Sequence, residues 1–303
     1  MSHPGATPTM SRPRRPTVLP PLSRACAGEL IGTYILVFFG CGSVLSAVIT
    51  GAQVGLWQVA VVWGFGITLA IYATAAASGA HLNPSVSLSL AWRRPESFPR
   101  TRLLPYWGAQ LAGAFLAAAI LYACFSPFIS RFETMHHLVR GQPGSQLSGM
   151  IFGEYGPNPS LFGTAPATMA LLSPLAVMLI EALGTAILHI FIFALVDRHN
   201  RDAPGGNMAP FFIGFSVAII ISVLAPLTQA GLNPARDFGP RLFAWFAGWG
   251  AIAIPGPNGI WWAYVVGPFL GGPVGATLYD LVLRPVLVDE EQGVLSGEPA
   301  ASG

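Results

Sequence analysis

The sequence predicts an all-α integral membrane protein of six transmembrane helices and two re-entrant half-helices, arranged as an inverted repeat of three spans and three. Three observations carry this. The 303 residues are 53% hydrophobic and only 9% charged, with a mean hydropathy of +0.59, whereas a soluble domain is roughly 25% charged. Six apolar stretches each approach or exceed the roughly 20 residues that cross a bilayer. Two Asn-Pro motifs, at Asn83 and Asn233, stand at matching distances behind two matching span openings.

The chain begins with a polar segment rich in Pro and Arg, which cannot bury enough apolar surface to fold alone. Residues 1–22 are therefore expected to be a disordered tail. Arg14-Arg15 resembles a twin-arginine signal, but the apolar stretch behind it is a full span without a small-residue cleavage site, so a retained first helix is expected. The spans lie at about 25–49, 56–77, 103–125, 171–196, 208–227 and 259–283. They make up a membrane domain over 23–288, with a first repeat at about 23–125, an extracellular loop at 126–170 and a second repeat at about 171–288. The acidic end, 289–303, reads as a second disordered tail. Cys26, Cys41 and Cys124 lie in or beside spans without metal or disulfide spacing and are expected to be packing residues.

Orientation follows from charge, because basic residues resist translocation. All fifteen are Arg, and eleven lie on the side of the termini: Arg12, Arg14, Arg15, Arg24, Arg93, Arg94, Arg100, Arg102, Arg198, Arg201 and Arg284. Both termini are thus expected in the cytoplasm, with these Arg serving topology alone. A net charge of +2 spread over scattered Arg gives no footprint for a nucleic-acid partner.

Each half opens on a Glu-x-x-Gly-Thr pattern, Glu29 to Thr33 and Glu181 to Thr185. The Asn-Pro motifs follow 54 and 52 residues after these Glu. The third spans match as well: Tyr106, Ala109, Gly113 and Ala117 against Tyr264, Gly267, Gly271 and Gly275, small residues at every fourth position that let helix backbones approach closely. Three spans per half is an odd number, so the second half enters from the opposite face. Inverted repeats place a site near the bilayer midplane between discontinuous helices.

Asn is a strong N-cap and Pro a favoured first helical residue, so Asn83-Pro84-Ser85 and Asn233-Pro234-Ala235 each read as a helix start. The helices that follow, about 85–92 and 235–246, are too short to span. Irregular backbone at that depth is tolerated only where protein buries it or it lines a wet cavity, and Gly79 and Gly231 are expected to supply the bend. Two half-helices entering from opposite faces meet N-terminus to N-terminus, each with about half a positive charge. That arrangement repels cations and protons, while the Asn83 and Asn233 amides donate to a passing hydroxyl. A third copy, Asn158-Pro159-Ser160, sits in a Gly/Pro-rich stretch without matched spacing and reads as a turn.

The motifs Ser-Gly-Ala-His-Leu-Asn-Pro-Ser at 78–85 and Asn-Pro-Ala-Arg-Asp-Phe-Gly-Pro at 233–240 resemble the aquaporin and glycerol facilitator family over about 22–287. The resemblance implies an aquaporin-like fold, one pore per protomer, a homotetramer, no cofactor, and passive conduction of small neutral solutes and water across a plasma or bacterial inner membrane. Ser85 stands where the family usually has Ala. In the family, residues matching Glu29 and Glu181 accept hydrogen bonds from the re-entrant loops, which implies pore support for both. His81, two residues before Asn83, is expected to orient the first loop.

The resemblance also implies a narrow ring outside the paired Asn, at Trp63, Ile221, Ala230 and Arg236. Arg236 follows Asn-Pro-Ala directly, and an Arg at membrane depth is costly unless paired or facing water. A bond to Asp237 is its alternative reading. Trp63 has an aromatic-belt alternative, which suits Trp57 better. Water-selective members carry His and Cys where this chain has Ile221 and Ala230. Asp237 and an eight-residue insertion between Asn233 and Tyr264, relative to the first half, resemble the solute-conducting branch, while Trp, Ile, Ala and Arg together resemble the nodulin-26-like ring. Glycerol and related polyols are the expected solutes, with water or a metalloid acid as the alternative.

An ion-coupled transporter would need an intramembrane coupling site, and none beyond Glu29 and Glu181 is evident. No nucleophile, base or zinc constellation within the spans suggests an enzyme. Glu133, His136 and His137 lack a further convincing ligand and read as an exposed polar loop, so no metal is expected.

Overall fold

The structure is a computed structural model that describes residues 19–205 and 207–289. Both expected tails lie almost wholly outside the described residues. Eight longer helices organise the fold: α1 (Leu22–Val48), α2 (Leu56–Ser78), α3 (Pro84–Arg93), α4 (Leu103–Met135), α5 (Pro174–Val196), α6 (Ala209–Thr228), α7 (Pro234–Ala244) and α8 (Ala263–Leu278). Among the described residues, six helical segments, all but α3 and α7, are long and apolar enough to cross a membrane, the last running on through the turns that flank α8. Among the described residues there is no strand.

The two halves repeat each other in their packing. α1 lies along α4 and α2, and α5 lies along α8 and α6. Each half-helix crosses over, so that α3 packs on α8 and α7 packs on α4. α2 and α6 pack against each other at the pseudo-twofold axis, with Gly64 and Gly214 in reciprocal contact. A Cβ on Gly64 would press on the Gly214 carbonyl, and a Cβ on Gly214 would overlap the Gly64 carbonyl and Thr68 Oγ1. Backbone cannot yield as a side-chain tip can. Gly214→Val is therefore expected to reach the upper end of overpacking costs, about 3 kcal/mol. Loss of the monodisperse peak on size-exclusion chromatography would register it.

Boundaries follow local chemistry. Gly79 ends α2 at φ 87°, and Ser173 caps α5 through Ala176 N with Pro174 at the first turn. α4 runs ten residues past its expected end at 125. Its last turn is anchored there by Glu133, which is buried, bonds Arg140 at 2.8 Å and accepts from Ser148 Oγ at 2.8 Å. The expectation of an exposed polar loop at Glu133 is thus corrected, although His136 and His137 are exposed.

The connection after α4 differs from expectation in the same way. Three short helical turns, Gln146–Gly149, Pro159–Phe162 and Pro166–Met169, punctuate it, and every residue from 148 to 159 is buried. Asn158 begins one of those turns by capping Ser160 N at 3.0 Å, and its Nδ2 donates to the Ala225 carbonyl on α6. The motif read as a plain turn is a cap that docks the loop into the helix bundle.

Several of the basic residues assigned to topology alone also hold structure. Arg93 and Arg94 converge on Asp280 at 2.7 and 2.6 Å, tying the end of α3 to the turn that follows α8. Arg284 bonds Asp197 at 2.9 Å.

Candidate functional site

Asn83 and Asn233 are the N-caps of α3 and α7. Asn83 Oδ1 accepts from Ser85 N, and Asn233 Oδ1 accepts from Ala235 N and Arg236 N. Each amide then reaches across the pseudo-twofold axis. Asn83 Nδ2 donates to the Leu232 carbonyl at 3.0 Å, and Asn233 Nδ2 donates to the Leu82 carbonyl at 2.8 Å. An amide nitrogen carries two hydrogens, so one N–H on each Asn remains for a solute.

Two buried carboxylates hold the loops in register. Glu29 accepts from His81 N at 2.9 Å, Leu82 N at 2.7 Å and Gln110 Nε2 at 2.7 Å. Glu181 accepts from Gly231 N at 3.0 Å and Leu232 N at 2.7 Å. The loops bend at matching places, with left-handed φ at Ala80 (51°) and Leu82 (52°), and at Ala230 (56°) and Leu232 (56°). Such conformations in non-Gly residues cost on the order of 1–3 kcal/mol each and persist only where surroundings enforce them. The expectation that Gly231 supplies the bend is corrected: Gln229 takes the left-handed position at φ 63°, matching Gly79. Gly231 is instead pressed between Tyr264 and Glu181, where a Cβ would be tight.

Ser85 does not line either of the two cavities that make up the lumen. Its Oγ donates to the Pro268 carbonyl on α8 at 2.6 Å and lies 3.5 Å from His189 Nε2 on α5. The hydroxyl that replaces the usual methyl thus ties α3 to α8 behind the loop. His81 lines the inner cavity, with Nδ1 3.1 Å from Ser87 Oγ and its ring against Phe98 and Tyr106.

The lumen consists of two cavities. One, of about 390 Å³, contains the Asn pair, and the other, of about 400 Å³, is lined in part by the connection after α4. Trp63, Ile221 and Arg236 line both, and Ala230 lines the first. The four residues expected to form a ring therefore come together where the cavities meet. Trp63 is fixed by its backing, since a Cβ on Gly40 of α1 would overlap the indole. The Arg236 guanidinium lies over that indole, 4.2 Å from its centroid. Trp57, by contrast, is exposed on the outer surface.

Arg236 is not the partner of Asp237. Its Nη1 meets Glu154 Oε1, whereas Asp237 binds Arg241 through two bonds of 2.8 Å and accepts from Glu154 N at 2.8 Å. Glu154, Arg241 and Gln229 are site residues that the sequence reasoning missed. The one signal available for Glu154 was an acidic residue two positions after the apolar run 150–152, inside a stretch otherwise read as a turn. Among the described residues no cluster of His, Cys, Asp and Glu suited to a metal occurs.

The comparisons agree with this fold. The model of the family described as "Major intrinsic protein" matches residues 18–279. The glycerol uptake facilitator protein of Haemophilus influenzae is 42% identical over 261 residues, covering 85% of this chain and 93% of the relative. The propanediol uptake facilitator of Salmonella typhimurium is also 42% identical over 261 residues, with the same coverage. The glycerol uptake facilitator protein of Escherichia coli K12 is 40% identical over 290 residues, covering 93% and 98%. The X-ray structure of the aquaglyceroporin from Plasmodium falciparum superposes with a TM-score of 0.74 at 26% identity, covering 88% of this chain and 99% of that one. With a family match over most of its length and an aquaglyceroporin backbone, the chain belongs to the major intrinsic protein family.

Proposed function

We propose that the protein is a passive channel for glycerol and related short polyols, together with water, that excludes protons and ions. The observation that carries this is the lumen wall. Around the inner cavity the lining side chains are hydrocarbon or aromatic except His81, Asn83, Asn233 and Arg236. A polyol has the matching anatomy, a carbon backbone that needs no hydrogen bonds and hydroxyls that do. The few donors aligned with the lumen supply those bonds, and the positive ends of α3 and α7 oppose cations. The named facilitators of glycerol and propanediol among the relatives support the same solute class.

Selection among neutral solutes is assigned to Trp63, Ile221, Ala230 and Arg236, a ring of nodulin-26-like composition. Ala230 leaves room that an aromatic side chain would fill, and this favours solutes at least as broad as glycerol. The protomer is taken to assemble as a homotetramer in a bacterial inner membrane with both termini cytoplasmic, a reading supported by the eleven Arg on one side.

Stopped-flow light scattering on proteoliposomes tests the function. Glycerol and propanediol fluxes should exceed those of protein-free vesicles, rise linearly with gradient and ignore ion gradients. Saturating, ion-dependent uptake, or glycerol flux equal to that of empty vesicles, would refute the channel. Boric acid in the same assay probes the metalloid alternative.

A further inference from the structure

We infer that Glu154 sets the electrical sign of the constriction: its carboxylate cancels Arg236, and without that cancellation the pore admits small anions. The inference rests on the channel reading and goes beyond it. Both half-helix N-termini are positive, and so is Arg236. These charges repel cations, but the same field attracts anions, and only dehydration and any opposing negative charge keep anions out. Among the described residues, the one carboxylate lining either cavity is that of Glu154.

Its setting is built rather than incidental. Glu154 is fully buried. Its N–H donates to Asp237 and its carbonyl accepts from Arg241 Nη2, so the buried Asp237–Arg241 pair clamps the backbone on both sides. Oε1 meets Arg236 Nη1, while Oε2 takes no hydrogen bond from the protein. The carboxylate is thus aimed at the ring, with one oxygen on the guanidinium and one free to accept from a hydroxyl.

Protonation provides a second handle. Burial pushes the Glu154 carboxyl up to about 8; Arg236 pulls it down, Asp237 and Glu181 push it up, and Arg241 pulls it down. The other groups around it are the phenols of Tyr155 and Tyr264, the amide of Gln229, and His136 on the vestibule wall. Above its raised pKa the group is ionised and the ring is neutral. Acidification neutralises Glu154 and leaves Arg236 uncompensated, so the ion exclusion proposed above belongs to the pore with Glu154 ionised.

The test is nitrate and potassium flux in proteoliposomes holding the full chain, with glycerol flux of the wild type recorded in the same vesicles. On the alkaline side, about pH 9, Glu154→Gln is expected to pass nitrate about tenfold faster than wild type, the effect of one unbalanced charge near a low-dielectric constriction. Wild-type nitrate flux should rise as pH falls towards about 5, and the variant should be high throughout. Arg236→Val removes the cation that Glu154 offsets and with it the pull that lowers the Glu154 carboxyl, so its nitrate flux should lose the rise on acidification. Equal nitrate flux in wild type and Glu154→Gln at alkaline pH, a flat wild-type profile, or an Arg236→Val nitrate flux that still rises on acidification would overturn the inference. The wild-type profile needs no variant to fold. A wild type that conducts glycerol while failing these tests would remove this inference and leave the channel standing.

Discussion

Asp237→Ala is expected to destabilise the protein by about 3–5 kcal/mol, the usual consequence of leaving a buried charge without its partner. Arg241 is completely buried, and Asp237 takes two of its hydrogen bonds at 2.8 Å. The carbonyl of Ala253 accepts a third at 3.0 Å, but a carbonyl carries no compensating charge. The same substitution strips the Glu154 N–H of its acceptor. A folded protein holds only about 5–15 kcal/mol in reserve, so the yield of folded protein should collapse. Thermal unfolding in detergent measures this directly. Asp237→Asn, which keeps the acceptor and loses the charge, should fall between wild type and Ala. A melting temperature for Asp237→Ala within a degree or so of wild type would mean that Arg241 finds another partner or reaches water.

The second large effect concerns permeation. Ala230→Phe should lower the ratio of glycerol to water permeability by about tenfold or more, since a hydrophobic wall discriminates by factors of roughly 10–200 per methylene-sized change in fit. Ala230 already holds a left-handed φ of 56°, so the larger side chain leaves the same Cβ in the same place. The ring extends from there into a space bounded by Trp63, Ile221 and Arg236. Ile221 is retained, so no room opens opposite to compensate. Stopped-flow measurements of both solutes on one preparation give the ratio without reference to protein content. An unchanged ratio would place the constriction elsewhere.

The features legible in the sequence were those imposed by the solvent. A bilayer demands long apolar helices, and it allows irregular backbone only around a protected cavity, so the six spans and the two Asn-Pro loops were visible as hydropathy and as helix-start chemistry. The Glu29 and Glu181 spacing carried the repeat. Outside the membrane that constraint lapses. Residues 148–159 are rich in Gly, Pro and polar groups, the composition of an exposed turn, yet they are buried through contacts made far away in sequence, such as Tyr155 N to Gln229 Oε1 at 2.8 Å and Asn158 N to the Pro226 carbonyl at 3.1 Å. No local pattern announces a partner 74 residues distant. Glu154 was missed for that reason, and the one ion-pair partner considered for Arg236 was its sequence neighbour Asp237. Gly231 failed differently: glycine signals either a left-handed turn or a close approach, and composition does not say which.

The crossing of the half-helices governs how the protein can be made. α3 has no finished surface to rest on until α8 exists, and the ribosome must still deliver everything between Arg93 and Ala263. At about 5–20 residues per second that wait lasts on the order of ten seconds or longer. Throughout it, a short helix with a polar tip sits at membrane depth, held by Glu29 at its loop and by Trp107 and Gln110 of α4, with its other side uncovered. Each half lacks most of the surface on which its own half-helix docks. Expressed separately, the two halves should each be cleared by the cell, whereas co-expression gives each the surface it lacks.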